Sequence, residues 1–259
     1  HARKETTWFA PAKQLPIEEL HFEYNPDNIW LRRVKDIYIE GMEKWRGNVV
    51  MAMTDLGGIL DILSSFRTPE GLLLDLYDYP DEVLRCVREI QTMWFRFFNE
   101  ITDIIRGETK GYSSWCAVYD PKPTYILQSD FCYMISNEMF NTFVGPELKT
   151  SAARLHRPYY HLDGIGELNH LESVLKIDEI FGVQWVPGDG PNRDKDWSGV
   201  QQRIAQAGKK IYILYEPENV KKLLKLMSGD MIYTTGFDVL KSNLPARLEE
   251  LKRIGIESL

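Results

Sequence analysis

The sequence predicts an α/β fold, a (β/α)8 barrel, and three observations support this prediction. Apolar runs of strand length alternate with amphipathic stretches of helix length along most of the chain. The length of 259 residues is close to the about 250 residues that such a barrel uses. No GxGxxG or GxxxxGKS/T phosphate loop occurs, which weakens the nucleotide-binding form of the alternative, a doubly wound open sheet.

The N-terminal part predicts one strand and several helices. Residues 1–45 are expected to extend a single barrel domain that covers residues 1–259, with a helix at about 27–45. The apolar run 49–53 predicts a buried strand. Helices are then expected at about 59–66, from Thr68-Pro69 onward, and from Pro80 to about Ile105. Proline in a first turn with acids beside it is typical of a helix N-terminus.

The rest of the chain alternates regularly between the two element types. The other predicted strands are 111–117, 124–129, 157–162, 180–186, 209–215 and 231–235. The other predicted helices are 136–154, 166–175, 196–207, 217–227 and 239–253. This alternation indicates a mostly parallel sheet with right-handed crossovers. Only seven strands are counted, so we expect the N-terminal strand of the barrel to be missing or atypical.

Composition excludes several classes of protein. The formal net charge of −7 at pH 7 argues against a general nucleic-acid binder. No apolar run approaches the about 18 residues of a membrane-spanning helix. Three cysteines make no disulfide framework. We therefore expect a cytoplasmic protein that acts on a small molecule, with neither nucleic acid nor membrane as a partner.

In a barrel the chemistry lies at the carboxyl ends of the strands, so the residues that follow each apolar run are the site candidates. As catalytic residues the sequence offers Asp55, His161, Asp163 and Glu216. As substrate-binding residues it offers Trp115, Asp130, Tyr160, Trp185 and Asp238. The acids among them are also common as loop and helix-cap residues, and that alternative stays open for Asp55, Asp130 and Asp238.

His161 and Asp163 are the most informative pair. Residues two apart at a strand end point the same way, so both could reach one ligand. Together they could hold a divalent metal or act as an acid/base pair. The alternative is a hydrogen-bonded histidine followed by an Asp163-Gly164 turn. Cys116 and Cys132 have no cysteine at metal-ligand spacing and are expected to be buried structural thiols.

Three stretches carry a resemblance to a known family. They are 129–140 with Phe143 and Pro146, 160–164, and 182–188. They resemble the uroporphyrinogen decarboxylase superfamily, over roughly residues 45–255. The resemblance implies a TIM-type barrel with its site at the C-terminal face. It also implies one of two activities, cofactor-free porphyrinogen decarboxylation or zinc-dependent methyl transfer involving corrinoids or thiols.

The chain departs from both branches of that family. The decarboxylases carry an Arg-rich N-terminal segment that grips substrate carboxylates, and no such segment is found here. The candidate site residues also include no Arg or Lys. The methyltransferases carry a His-x-Cys motif, and Asp163 stands at its second position. The resemblance thus predicts a zinc site of His161, Asp163 and Glu216, a ligand set that suits a harder substrate than a thiol.

Three functions follow from these observations. The first is methyl transfer by His161, Asp163 and Glu216, with Trp185 and Tyr160 as pocket walls and a corrinoid or corrinoid protein as partner. The second is metal-free decarboxylation of a porphyrinogen or another carboxylate, with Asp55 stabilising the developing charge. The third is a barrel that binds a tetrapyrrole or small ligand without turnover. A homodimer is compatible with each.

Overall fold

A computed structural model of the chain describes residues 11–106, 111–188, 195–214, 216–235 and 244–253. Four helices form the N-terminal part. They are α1 (Ile29–Trp45), α2 (Ile59–Arg67), α3 (Pro69–Asp78) and α4 (Pro80–Ile105). All four predicted helices are present. Asn28 caps α1 by accepting hydrogen bonds from Trp30 N at 2.9 Å and Leu31 N at 3.2 Å.

The predicted buried strand at 49–53 is wrong. The run contributes a single parallel bridge, between Ala52 and Ser113, and Met53 N donates to Ser113 O at 2.8 Å. Val49 and Val50 are exposed. An apolar run makes a buried strand only where neighbours pair along it and cover both faces, and here pairing is confined to one position.

The predicted strand at 111–117 is shorter than expected. It ends early because the chain reverses into a hairpin, in which β1 (Tyr112–Ser113) pairs antiparallel with β2 (Tyr119–Asp120). The reversal is made at Ala117, which has a positive φ of 59° and donates its N–H to Ser114 O at 2.8 Å.

The centre of the molecule is a five-stranded parallel sheet in chain order. Its strands are β3 (Ile126–Leu127), β4 (Tyr159–Asp163), β5 (Gly182–Val186), β6 (Lys210–Leu214) and β7 (Ile232–Thr235). The α/β class and the parallel arrangement are confirmed. Within the described residues the sheet does not close into an eight-stranded barrel.

Helices connect these strands. They are α5 (Asn137–Met139), α6 (Gly145–Ala152), α7 (Leu171–Leu175), α8 (Ser198–Gln206), α9 (Pro217–Leu223) and α10 (Leu244–Arg253). A π-helical turn, Phe140–Val144, joins α5 to α6. A 3-10 turn, Ile165–His170, precedes α7. No helix in the described part of the chain has the length and apolar character to cross a membrane.

The two faces of the sheet carry different side chains, because neighbouring residues of a strand point to opposite sides. Tyr160, Leu162 and Val183 lie on the outer face, in the main hydrophobic core with the helices. Tyr159 lies on the inner face, where it packs with Val118, Ile126 and Tyr212. The same alternation places His161, Asp163 and Gln184 on the inner face, and that face carries the candidate site.

Candidate active site

A polar network lies at the middle of the inner face. His161 of β4 and Gln184 of β5 are partners in the sheet register, and His161 Nδ1 lies 2.5 Å from Gln184 Oε1. The Cys116 thiol, from the β1–β2 hairpin, donates to the same oxygen at 3.6 Å. The ring of Trp115 meets the imidazole edge-on, with ring centroids 5.3 Å apart. Gln184 and Trp115 therefore contact the imidazole directly, and Cys116 reaches it through Gln184.

Asp163 lies at the carboxyl end of β4, on the same face as His161. Its Oδ2 is 3.9 Å from His161 Nε2, and the side chains of His161 and Asp163 are 13% and 40% exposed. Asp163 Oδ1 is buried and has no hydrogen-bond partner among the residues that the structure describes. The expected convergence of these two side chains is observed. The pair has the composition of an acid/base couple that opens to solvent through Asp163.

Two further acids of the sequence analysis lie near this pair. Burial raises the pKa of Asp130, the His161 imidazole lowers it, and the Asp163 and Asp55 carboxylates raise it again. Asp55 is exposed. Its Oδ1 accepts hydrogen bonds from Gly57 N at 2.8 Å and from the Tyr125 hydroxyl at 3.3 Å. These bonds give Asp55 a turn-forming role, which is the structural alternative stated for it above.

A cleft of about 850 Å³ opens beside the pair, at the carboxyl ends of β4, β5 and β6. Asp163 and Gln184 reach it from the inner face, and Glu216 lines it from the segment that precedes α9. Trp185 also lines it and stacks edge-on with Trp197 at 5.2 Å. Asp163, Trp185 and Glu216 therefore lie where the sequence placed them. This end of a parallel sheet is the usual location of ligand sites in α/β proteins.

Contrary to the sequence analysis, the cleft contains cations. Lys195 and Lys222 both line it. Lys222 Nζ is paired with Asp196 Oδ1 at 2.6 Å, and this pairing lowers the pKa of Asp196. The argument against anionic substrates from a lack of Lys and Arg therefore does not hold.

Tyr160 does not line the cleft, so its assignment as a substrate-binding residue is wrong. The side chain is fully buried in the core on the outer face, and its hydroxyl donates to Glu167 Oε2 at 3.4 Å. The reason is strand alternation, since the residue next to His161 must face the other way. Asp238 lies outside the described residues.

The predicted zinc ligands are not assembled into a site. A catalytic zinc uses three protein ligands and keeps one open position. In the described ranges, no group of three or more His, Cys, Asp and Glu side chains is arranged to hold a metal ion. His161 and Asp163 supply two neighbouring donors, and Glu216 does not complete the set. The residues therefore do not fit the predicted three-ligand site, and zinc stays a prediction from the resemblance.

Sequence reasoning missed three acids behind the site, the buried Glu147 and Glu167 and the half-buried Asp61, called here the buried acid layer. Burial, together with the charges of Asp130, Asp61 and Asp163, raises the pKa of Glu167 to about 9. Burial, with a smaller contribution from Asp61, raises the pKa of Glu147 to about 8.

For Asp61, burial and the Asp130 charge raise the pKa to about 7, against backbone hydrogen bonds that lower it. Asp61 also positions the segment after β3. Its carboxylate accepts hydrogen bonds from Asp130 N at 3.1 Å and from Phe131 N at 2.7 Å.

Gln184 and Cys116 were missed as well. Gln184 lies inside an apolar strand, and Cys116 lies in a hairpin that the sequence analysis treated as a strand end. Neither was singled out as a site residue, and only the folded register reveals that Gln184 contacts His161 and that Cys116 contacts Gln184.

No protein-family model matches the chain, and no curated protein matches it in sequence. The fold is similar to that of a methyltransferase from Methanosarcina mazei, with a TM-score of 0.57 and 10% sequence identity. The match covers 85% of this chain and 61% of that one, so this chain spans about three fifths of that protein's length. At this identity the likeness is one of fold.

Proposed function

We propose that this protein is a methyltransferase of the uroporphyrinogen decarboxylase-like kind, in which His161 and Asp163 act at the carboxyl end of a barrel sheet. The observation that carries the proposal is the His161–Asp163 pair, of which Asp163 lines the cleft. The fold likeness to a methyltransferase is consistent with this reaction.

The proposed reaction moves a methyl group from a corrinoid-type donor to a heteroatom of an acceptor. His161 removes the proton from the acceptor O–H, N–H or S–H group, and a lone pair of that heteroatom forms the new bond to the methyl carbon. The bond between the methyl carbon and the donor breaks, and its electron pair stays with the donor. Asp163 stabilises the imidazolium that forms, as a carboxylate beside a charged histidine does.

The other cleft residues bind the two substrates in this proposal. Trp185 supplies an apolar wall, and Glu216, Lys195 and Lys222 supply polar contacts at the rim. Removal of water from such a cleft strengthens the electrostatic contacts inside it.

Decarboxylation is the second candidate, and one observation favours it. Lys195 and Lys222 line the cleft, and ammonium groups are suitable partners for substrate carboxylates. This reaction predicts CO2 release from a carboxylate substrate with no methyl donor present.

The deciding experiment incubates the purified protein with methylcobalamin and, in turn, a thiol, an alcohol and an amine acceptor. Loss of the methylcobalamin absorbance and appearance of the methylated acceptor, by mass spectrometry, would support methyl transfer. The proposal expects the rate to fall at least about 100-fold in His161→Ala, the usual minimum for loss of a general base. His21→Ala, at an exposed histidine beside α4, is the matched control.

Two results would overturn the proposal. One is an unchanged transfer rate in His161→Ala. The other is CO2 release from carboxylates with no methyl transfer to any acceptor class, which would establish the second candidate instead.

A further inference from the structure

We propose that Gln184 and Cys116 form a positioning pair that fixes the tautomer of His161, with the proton on Nδ1 and a free lone pair on Nε2. The catalytic meaning of this pair rests on the proposed function. The tautomer itself does not, and it can be measured without any turnover.

The first step of the argument is the charge state of the Cys116 thiol. It is partly buried, and burial raises its pKa to about 12, against a smaller lowering by the Gln184 hydrogen bond. The thiol is therefore protonated at neutral pH and brings a hydrogen to Gln184 Oε1, 3.6 Å away. A thiol that brings a hydrogen needs an acceptor, and within the Gln184 amide only the oxygen is one.

The second step concerns the protonation of His161 Nδ1, which lies against the same oxygen. Gln184 Oε1 lies against His161 Nδ1, and a carbonyl oxygen only accepts hydrogen bonds. The Nδ1 atom must therefore carry the proton. One oxygen with two lone pairs then serves two donors, the thiol of Cys116 and the imidazole of His161.

The third step is that the Gln184 amide cannot easily rotate to exchange its oxygen and its nitrogen, and that the hairpin holds the thiol in place. Gln184 is 5% exposed and sits in the register between His161 of β4 and Tyr212 of β6. The Tyr212 hydroxyl donates to the backbone carbonyl of Cys116, and it lies 2.7 Å from Thr235 Oγ1. The sheet thus fixes the amide, and the Tyr212 hydroxyl fixes the hairpin that carries the thiol.

The consequence is a second nitrogen, Nε2, on the side of Asp163, a residue that lines the cleft. Among the described residues, the nearest charged group to His161 Nε2 is Asp163, whose Oδ2 is 3.9 Å away. This distance is too long for a hydrogen bond. Nε2 is therefore not hydrogen-bonded to Asp163, and Asp163 is near enough to stabilise the charge after a proton arrives. Other enzymes also fix a histidine tautomer through the hydrogen bond made by its second nitrogen.

The test is nitrogen-15 NMR of histidine-labelled protein at a pH where His161 is neutral, with the His161 signals assigned by their loss in His161→Ala. The expected pattern is a protonated Nδ1 and an unprotonated Nε2. Gln184→Met removes the acceptor and should move at least about half of the population to the Nε2–H form. Gln184→Glu keeps an acceptor oxygen at the same place and should keep the Nδ1–H form.

Activity gives a second readout that a purely structural role would not produce. In Gln184→Met we expect kcat to fall about 10-fold or more with KM changed less than about 2-fold, and Gln184→Glu to restore part of kcat. Gln91→Met is the matched control. That glutamine hydrogen-bonds to Glu147 O and Ser151 on the helical side of the molecule, and its substitution should not change the tautomer.

The outcomes separate the two proposals. An Nε2–H form in the wild type, or an unchanged tautomer in Gln184→Met, overturns the positioning role. If Gln184→Met does not fold, the wild-type spectrum still decides, because an Nε2–H form there overturns the positioning role. An Nδ1–H form in a protein that transfers no methyl group supports the positioning pair and removes the proposed function.

Discussion

The two faces of β4 differ in how far their polar side chains are exposed to solvent, although the residues compared are neighbours in the sequence. On the inner face, His161 and Asp163 are partly open to solvent beside a cleft. On the outer face, Tyr160 is fully buried and its hydroxyl reaches the buried Glu167.

Solvent exposure, more than the number of nearby acids, therefore distinguishes the candidate site at His161 and Asp163 from the buried acid layer. The buried acid layer lies within the electrostatic reach of the same site, since Asp163 and Asp130 raise the pKa of Glu167. Burial keeps Glu147 and Glu167 largely protonated near neutral pH, because an unpaired charge in a low-dielectric interior is costly. A protonated acid in the core contributes packing and hydrogen bonds, whereas an acid at the cleft is accessible to a substrate.

The largest expected effect is on the inner face. His161→Ala should lower the methyl-transfer rate per folded molecule at least about 100-fold, since it removes the proposed general base. Tyr160→Phe, one residue away, should leave the rate per folded molecule unchanged. Equal rate losses in the two variants would break the comparison between the faces.

The next effect tests the buried acid layer through pH. The pKa of Glu147 rises from 4.5 to about 8 on folding, so the folded state holds a proton that the unfolded chain loses above about pH 4.5. Its contribution to stability is therefore present at low pH and is lost as pH rises toward about 8.

In Glu147→Gln this loss of folding stability with rising pH is absent, because the amide does not titrate. The stability of the variant relative to wild type should be near its lowest below about pH 4.5 and should grow by roughly 4 kcal/mol by pH 8. Urea unfolding at several pH values measures it, with the exposed Glu138→Gln as the control. A difference that does not change with pH would show that Glu147 is charged in the folded protein.

A smaller effect concerns the turn that follows β4 at Gly164. Gly164 follows Asp163 with a positive φ of 83°, and an added Cβ would lie 3.0 Å from the Tyr133 ring. Gly164→Ala should destabilise the fold by about 2 kcal/mol.

Gly199 in α8 offers the opposite case. Nothing lies within 4 Å of an added Cβ there, and Gly199→Ala should stabilise the helix by up to about 1 kcal/mol. Thermal unfolding of both variants measures the contrast, and the same sign in both would contradict this account of the turn.

The smallest effect is the hydrogen bond on the outer face. Tyr160→Phe removes the donor that reaches Glu167 Oε2 at 3.4 Å and should lower the free energy of unfolding by about 1 kcal/mol. Chemical denaturation measures it. A loss above about 3 kcal/mol would mean that Tyr160 determines the packing of the layer as well as one bond in it.

Much of this organisation could be predicted from the sequence, because it depends on periodicity. Helix α4 and the parallel strands β4 and β5 follow directly from the spacing of apolar residues. The convergence of His161 and Asp163 follows from the two-residue repeat of a strand. The predicted buried strand at 49–53 was wrong, because burial of a strand depends on neighbouring strands that a single apolar run does not specify.

The missed site features depend on contacts between distant residues. Glu147 lies within the predicted helix 136–154, where an acid is ordinarily solvent-exposed. Its burial arises from packing against α4. Gln184 and Cys116 are 68 residues apart, and the register that joins them is a property of the folded sheet.

The parallel sheet has a consequence for how the chain is made. Its five strands are paired in the order in which they leave the ribosome, so each strand finds its partner already formed on the N-terminal side. Each closure then spans one helical crossover, which keeps the entropy lost per step small. We expect the sheet to grow during synthesis by addition at a single edge, with the β4–β5 pair that holds the imidazole complete before β6 and β7 emerge.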